Sequence, residues 1–183
     1  EPWGWQLDGH HLIINYFVLG DQVVMTPTFM GSEPPVATTG RYAGTAVLEE
    51  ELQAGLLLVQ SLDADQMAQA IVNSQKTSNN NHGELFQDNA VVPYEGLRLA
   101  QLNAQQDALA RSLIALYIGN LQQDQALIKM AEIERHWSDT YFSWVGETES
   151  DSVFYYRIHS PVVMIEFDHQ VPIALEGPKL PTR

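Results

Sequence analysis

The chain has no cysteine at any of its 183 positions, so disulfides, thiolate metal ligands and cysteine nucleophiles are excluded at once. That absence leaves the redox compartment open. Positive charge is scarce: nine Lys and Arg stand against 23 Asp and Glu, for a net charge of -14, and the nine are scattered singly from Arg41 to Arg183. Such a balance repels a phosphate backbone or an anionic membrane unless basic residues cluster, so neither nucleic acid nor membrane is an expected partner. The longest apolar runs, residues 12–14 and 16–19, fall far short of the roughly 20 residues a spanning helix needs. No signal peptide is visible, yet the chain opens on Glu1-Pro2 without a Met, just ahead of a strand pattern, so an upstream part is expected to be missing and localisation stays open. With only 17% charged against 45% hydrophobic residues the composition is that of a folded chain, not a disordered one. The length suits a single domain spanning 1–183, which at this size buries about 70% of its unfolded surface.

The order of composition along the chain is aromatic and β-branched, then rich in Leu, Ala and Gln, then aromatic and β-branched again. That order predicts an α+β fold: an antiparallel sheet of about five strands formed by N- and C-terminal hairpins, packed with a central block of about four helices. Residues 11–19 and 22–29 suit strands, and Gly20-Asp21 between them is a two-residue turn signal. Leu48, Leu52, Leu56 and Val59 recur at helical spacing behind a first turn containing Glu49, Glu50 and Glu51. Asp63 with Gln66, and Asn103 with Gln106, read as capping boxes for helices reaching about Val72 and ending before Gly119, and a further helix is expected from about Gln122 to His136. The stretch NSQKTSNNNHGE between them reads as a mobile loop. TYFSWVG, VFYYRIH and VVMIEFD close the chain as three strand-like runs, the last two joined at Ser160-Pro161.

Alternation sorts the candidate chemistry by face. His10, Leu12, Ile14, Tyr16 and Val18 share the expected core face, whereas His11, Ile13 and Asn15 share the other, with Asn15 set opposite Thr26 and Ile13 opposite Thr28. Adjacent histidines on a regular strand point apart, so His10 and His11 can share a metal only if Gly9 breaks the strand. In the last hairpin Tyr155, Arg157 and His159 share a face. A two-residue turn at Ser160-Pro161 would make Arg157 and Glu166 diagonal neighbours and an ion pair, and would leave Asp168 too far along the strand to join His159 at a metal. A buried arginine can hold a carboxylate in bidentate fashion, so His11, Asn15, Tyr155, Arg157 and His159 would form one polar floor if the two hairpins lay in one sheet. His82, His136 and His169 are expected to be non-catalytic. Nucleophile elbows, P-loops, zinc-protease helices, EF-hands and dinucleotide fingerprints are all missing from the sequence.

PWGWQLDGHH, VVMTPTFMGSEP, TYFSWVG and FYYRIHSPVVMIEFDHQ, at their spacing, closely resemble the family known as domain of unknown function 3500, found in bacteria and fungi. The resemblance spans nearly the whole chain, with residues 74–89 the least distinctive. It implies further sequence before PWGW and, after Arg183, a histidine-rich segment followed by an Asn-Asp pair, so a family metal site would have only part of its ligands here. The resemblance carries no established activity; the polar floor beside aromatic walls leads instead to the reading of a metal-dependent enzyme acting on a small, anionic molecule. His11, His10 and His159 would be ligands to an Fe, Zn or Cu ion, and Asn15, Tyr155 and Arg157 would contact substrate. The alternative is a metal-free small-molecule-binding or structural domain in which these histidines satisfy buried carbonyls, or a homo-oligomer whose terminal strands pair between chains.

Overall fold

The computed structural model describes residues 1–83, 89–173 and 180–182. It is α+β, with four helices and strands in two separate, mostly antiparallel sheets, so the N- and C-terminal hairpins do not share one sheet. The chain divides into two compact units, Glu1–Leu48 and Glu49–Arg183.

In the first unit β2 (Leu12–Leu19) is the centre of a four-stranded sheet and pairs antiparallel with β1 (Trp3–Asp8), β3 (Gln22–Val24) and β4 (Thr28–Met30). The β1–β2 register sets Trp5 against Tyr16, whose rings stack at 5.3 Å, with Trp3 at 6.1 Å from the same ring. None of the residues in this unit is fully buried, so the expected core face is only half covered. Gly20-Asp21 forms the two-residue turn read from the sequence, bringing Leu19 opposite Gln22. The register then slips by one, so that Ile14 rather than Ile13 faces Thr28. The cause is local: the Asn15 amide donates to the Pro27 carbonyl (2.8 Å) and the Thr28 hydroxyl to the Met25 carbonyl (2.9 Å), gathering residues 25–27 into a bulge.

In the second unit α1 spans Glu49–Gln60, α2 Ala64–Ala70, α3 Ala104–Ile118 and α4 Gln123–Arg135. Of these, α2 and α3 start where their capping boxes predict. Asp63 and Asn103 both close capping boxes, with Gln66 and Gln106 as the reciprocating residues. The two glutamine amides also bond each other, at 3.0 and 2.8 Å, which ties the starts of α2 and α3 together in the interior. Gly119 caps the C-terminal end of α3 in right-handed geometry, its N–H donating to the Ala115 carbonyl (2.8 Å). After Ala70 the chain straightens into β5 (Ile71–Asn73), which ends α2 sooner than the sequence spacing suggests.

The second sheet is built on β7 (Tyr141–Gly146), β8 (Phe154–His159) and β9 (Met164–Asp168), in antiparallel succession. β5 adds parallel to β7, and the two-residue β6 (Leu97–Arg98) adds antiparallel to it. Alternation gives this sheet one apolar face: Phe142, Trp144, Phe154, Tyr156, Ile158, Ile165 and Phe167 are buried in the core together with Leu56, Leu58, Val59 and Leu113. Its aromatic rings stack, Trp144 on Phe154 at 4.3 Å and Tyr156 on Phe167 at 5.3 Å. Gly55 of α1 lies so close to the Tyr156 ring that a Cβ there would stand 2.3 Å from it. The Tyr156 hydroxyl is fixed by Tyr117 (2.7 Å) and the Glu51 carbonyl (3.0 Å), so that ring has no room to yield.

Candidate functional site

The opposite face of the second sheet is polar, and it carries three of the residues singled out from the sequence. Tyr155, Arg157 and His159 alternate with the core residues of β8 and project together from this face. Their pairing with β9 differs from the expectation by two residues: His159 stands opposite Met164, Arg157 opposite Glu166 and Tyr155 opposite Asp168. Ser160 is responsible. Its backbone N–H donates to the Val163 carbonyl (2.8 Å) and its hydroxyl accepts from the Val162 and Val163 N–H groups (both 3.2 Å), closing a four-residue loop where a two-residue turn was expected.

The shifted register changes the expected ion pair. Glu166 does not neutralise Arg157. Its Oε1 accepts from the Tyr155 hydroxyl at 2.6 Å and from the His82 N–H at 2.8 Å, and its Oε2 accepts from the Gly83 N–H at 3.1 Å. Asp168 does likewise one step along, accepting from the Asn80 and Asn81 N–H groups at 2.8 and 3.1 Å and pairing with the buried Lys76 ammonium at 2.9 Å. Residues 76–83 are therefore pinned across the strand by two carboxylates, although their composition suggested a mobile loop. Burial and the Glu166 carboxylate together push the Tyr155 hydroxyl far above the usual phenol range, so it stays a donor at any ordinary pH.

Arg157 is 2% exposed. Its Nη2 donates to the Pro93 carbonyl (3.0 Å) and to Glu95 Oε2 (3.2 Å). Its Nε is buried and, among the described residues, has no hydrogen-bond partner, and the same holds for Nδ1 of His159. The Tyr94 ring covers this end of the face, stacked on Tyr141 at 5.4 Å and lying over His159 at 4.4 Å. Burial first, and the Arg157 charge second, hold the His159 imidazole below its ordinary value, against the opposing pull of the Pro93 carbonyl and Glu166. At neutral pH the face thus offers one fixed cation, a neutral imidazole, and one outward-turned carboxylate on Glu95.

The remaining sequence candidates lie in the first unit. Asn15 is spent on the Pro27 carbonyl. His10 and His11 stand in the β1–β2 turn, where Gly9 ends the strand and donates its N–H to the Leu12 carbonyl (2.8 Å); the two rings meet edge to face at 4.4 Å. The condition under which both could face one ion is therefore met, but no group of three or more His, Asp or Glu among the described residues is placed to hold a metal. His169 accepts the Phe154 N–H on its Nδ1 (2.9 Å) within the core.

Tyr94, Glu95 and Lys76 went unnoticed in the sequence. Glu95 is 62 residues from Arg157 and sits in no periodic segment, and Lys76 lies in a polar loop, so no local pattern marks either.

Two shallow recesses, of about 260 and 230 Å³, lie elsewhere on this unit, beside residues 74–77 and between α3 and α4. Neither is lined by Arg157 or His159; the Pro93 carbonyl meets Arg157 and the Tyr94 ring lies over His159.

An α+β chain with an aromatic-cored sheet, one polar sheet face and a buried arginine on that face is the class of molecule these observations define. The chain belongs to the family described as protein of unknown function (DUF3500), whose match covers residues 1–180. No curated protein and no solved structure matches it.

Proposed function

We propose that the chain binds a small anionic molecule on the β8 face, with Arg157 holding the anion and neutral His159 beside it as a hydrogen-bond partner. The observation that supports this is the pair of buried nitrogens, Arg157 Nε and His159 Nδ1, which have no hydrogen-bond partner among the described residues and stand two positions apart on one strand. Buried polar groups are almost always satisfied, and an arginine taken out of water with a single monodentate carboxylate contact calls for further anionic partners. A carboxylate accepting from Nε and Nη2 would supply the bidentate geometry that guanidinium favours. The reading is of binding, because no nucleophile stands within hydrogen-bonding distance of His159 among the described hydrogen bonds.

Isothermal titration with small carboxylates and with inorganic phosphate tests it. Arg157→Lys keeps the charge but removes the fork, and affinity is expected to fall at least tenfold. Absence of heat with every anion up to millimolar concentration, on wild-type protein, would remove the proposal.

A second reading is favoured by the meeting of His10 and His11 in one turn. In it the two imidazoles form part of a Zn, Fe or Cu site. Two donors are one fewer than the three protein ligands of a typical catalytic zinc site. Elemental analysis by plasma mass spectrometry separates the readings: near-stoichiometric metal lost in His11→Ala supports this one, and metal-free, normally folded protein rejects it.

A further inference from the structure

The space above Arg157 and His159 is occupied by the chain itself, and the chemistry of the occupant describes the ligand. Glu95 places a carboxylate on Arg157, and Tyr94 places a planar ring on His159 and Tyr141. We infer that residues 93–95 are an internal stand-in, and that the ligand of this site is an arylalkanoate: a planar ring carried a few carbons from a carboxylate, which displaces Tyr94 and Glu95. This rests on the anion-binding reading above and adds the ligand class and the competitor to it.

The stand-in is a weak occupant. Arg157 is buried, yet the Glu95 side chain is 48% exposed and touches it with one oxygen at 3.2 Å. Strong guanidinium–carboxylate pairs are bidentate and about 2.7–2.9 Å long. Tyr94 is likewise 48% exposed, although the imidazole nitrogen beneath it is buried and unpartnered among the described residues. No backbone hydrogen bond among the described residues ties residues 91–95 to the sheet, and Val91 is 95% exposed. The strap becomes fixed only at Gly96, where φ is +98° and a Cβ would stand 2.1 Å from the Phe142 carbonyl oxygen. Leu97 and Arg98 then pair with β7, while the hydrogen bonds and ring contacts of residues 93–95 among the described residues are those with Arg157, Tyr141 and His159.

The spacing sets the size of the ligand. Arg157 and His159 are two residues apart on β8, which is about 6.6 Å at the usual rise per strand residue. A carboxylate on the first and a ring over the second therefore require a short alkyl link between them. 3-Phenylpropanoate is the matching probe, with propanoate as the control lacking the ring and 3-phenylpropanamide as the control lacking the charge.

The test is isothermal titration of the full chain at pH 7.5 with these three compounds, using wild type, Glu95→Gln and Tyr94→Ala. Both substitutions fall on exposed side chains, and a thermal melt verifies that each variant is folded. 3-Phenylpropanoate should bind wild type more tightly than either control, and removal of the competitor should tighten it about tenfold or more in each variant, since a site blocked most of the time weakens apparent affinity by its open fraction. Equal affinity in wild type and both variants, or propanoate binding as well as 3-phenylpropanoate, would overturn the stand-in while leaving the anion site intact. If neither carboxylate binds any of the three proteins, the anion site itself fails and the inference goes with it.

Discussion

His159 shares a strand face with the buried Arg157, and its imidazole is discouraged from gaining a proton there. The His159 imidazole is held below its ordinary value by burial and by Arg157, so as pH falls the unfolded chain takes up its proton first. Its contribution to stability is therefore present above about pH 6.5 and is lost as pH falls below that through the folded-state value. A two-dimensional NMR titration of the imidazole should give a midpoint below 6.5; a midpoint at or above 6.5 would mean that neither burial nor Arg157 acts on it as described. Lys76 and Asp168 provide a second test. Their side chains are 1% and 5% exposed, so Lys76→Met strands a buried carboxylate and should cost about 3–5 kcal/mol in a denaturant melt. Alternation alone was enough to place Tyr155, Arg157 and His159 on one face from the sequence. Their partners were not legible, because Glu95 and residues 80–83 reach this face through loops whose path no local pattern dictates.

At the level of elements, the helices were legible because their starts are chemical: Asp63 and Asn103 each present a side-chain acceptor to the N–H groups that a first turn leaves unbonded. That Gln66 and Gln106 would then bond each other across two helices was not legible, since it depends on packing. Gln106→Ala removes a cap, a buried amide pair and the bond to the Ser61 carbonyl (2.8 Å), and should destabilise by about 1–3 kcal/mol. Gly55→Ala separates two opposing effects. Helix propensity favours alanine by up to about 1 kcal/mol, but the new Cβ would meet a Tyr156 ring fixed at its hydroxyl, and overpacking of that kind costs about 1–3 kcal/mol. The net should be a lower melting temperature; a rise would show that the ring can move aside. β5 and β6, three and two residues long, are too short to carry a period, and the β8–β9 register was missed because a serine hydroxyl, not Ser160-Pro161 as a dipeptide, defines that loop.

Over the whole molecule, the two units differ in how they are held. The second has a dense aromatic and aliphatic core, whereas the first has no fully buried residue and leaves Trp3, Trp5, Phe17 and Leu19 about half exposed. Four strands with that little burial do not offset the entropy of ordering a chain of this length. A peptide of residues 1–48 should therefore be unfolded by circular dichroism, while residues 49–183 keep a cooperative melt; a dispersed NMR spectrum from the short peptide would contradict this. Both terminal regions show the same strand alternation, so the difference between a buried and an exposed sheet was invisible before the packing was known. In the proposed site Arg157 meets its ligand through Nε, and the resonance of that N–H reports on it directly. Titrating isotope-labelled protein with 3-phenylpropanoate should move the Arg157 Nε–H signal in proton–nitrogen spectra, saturably, and Arg157→Lys should weaken binding at least tenfold. A signal that stays in place while the ligand binds elsewhere, or no binding at all, would contradict the account.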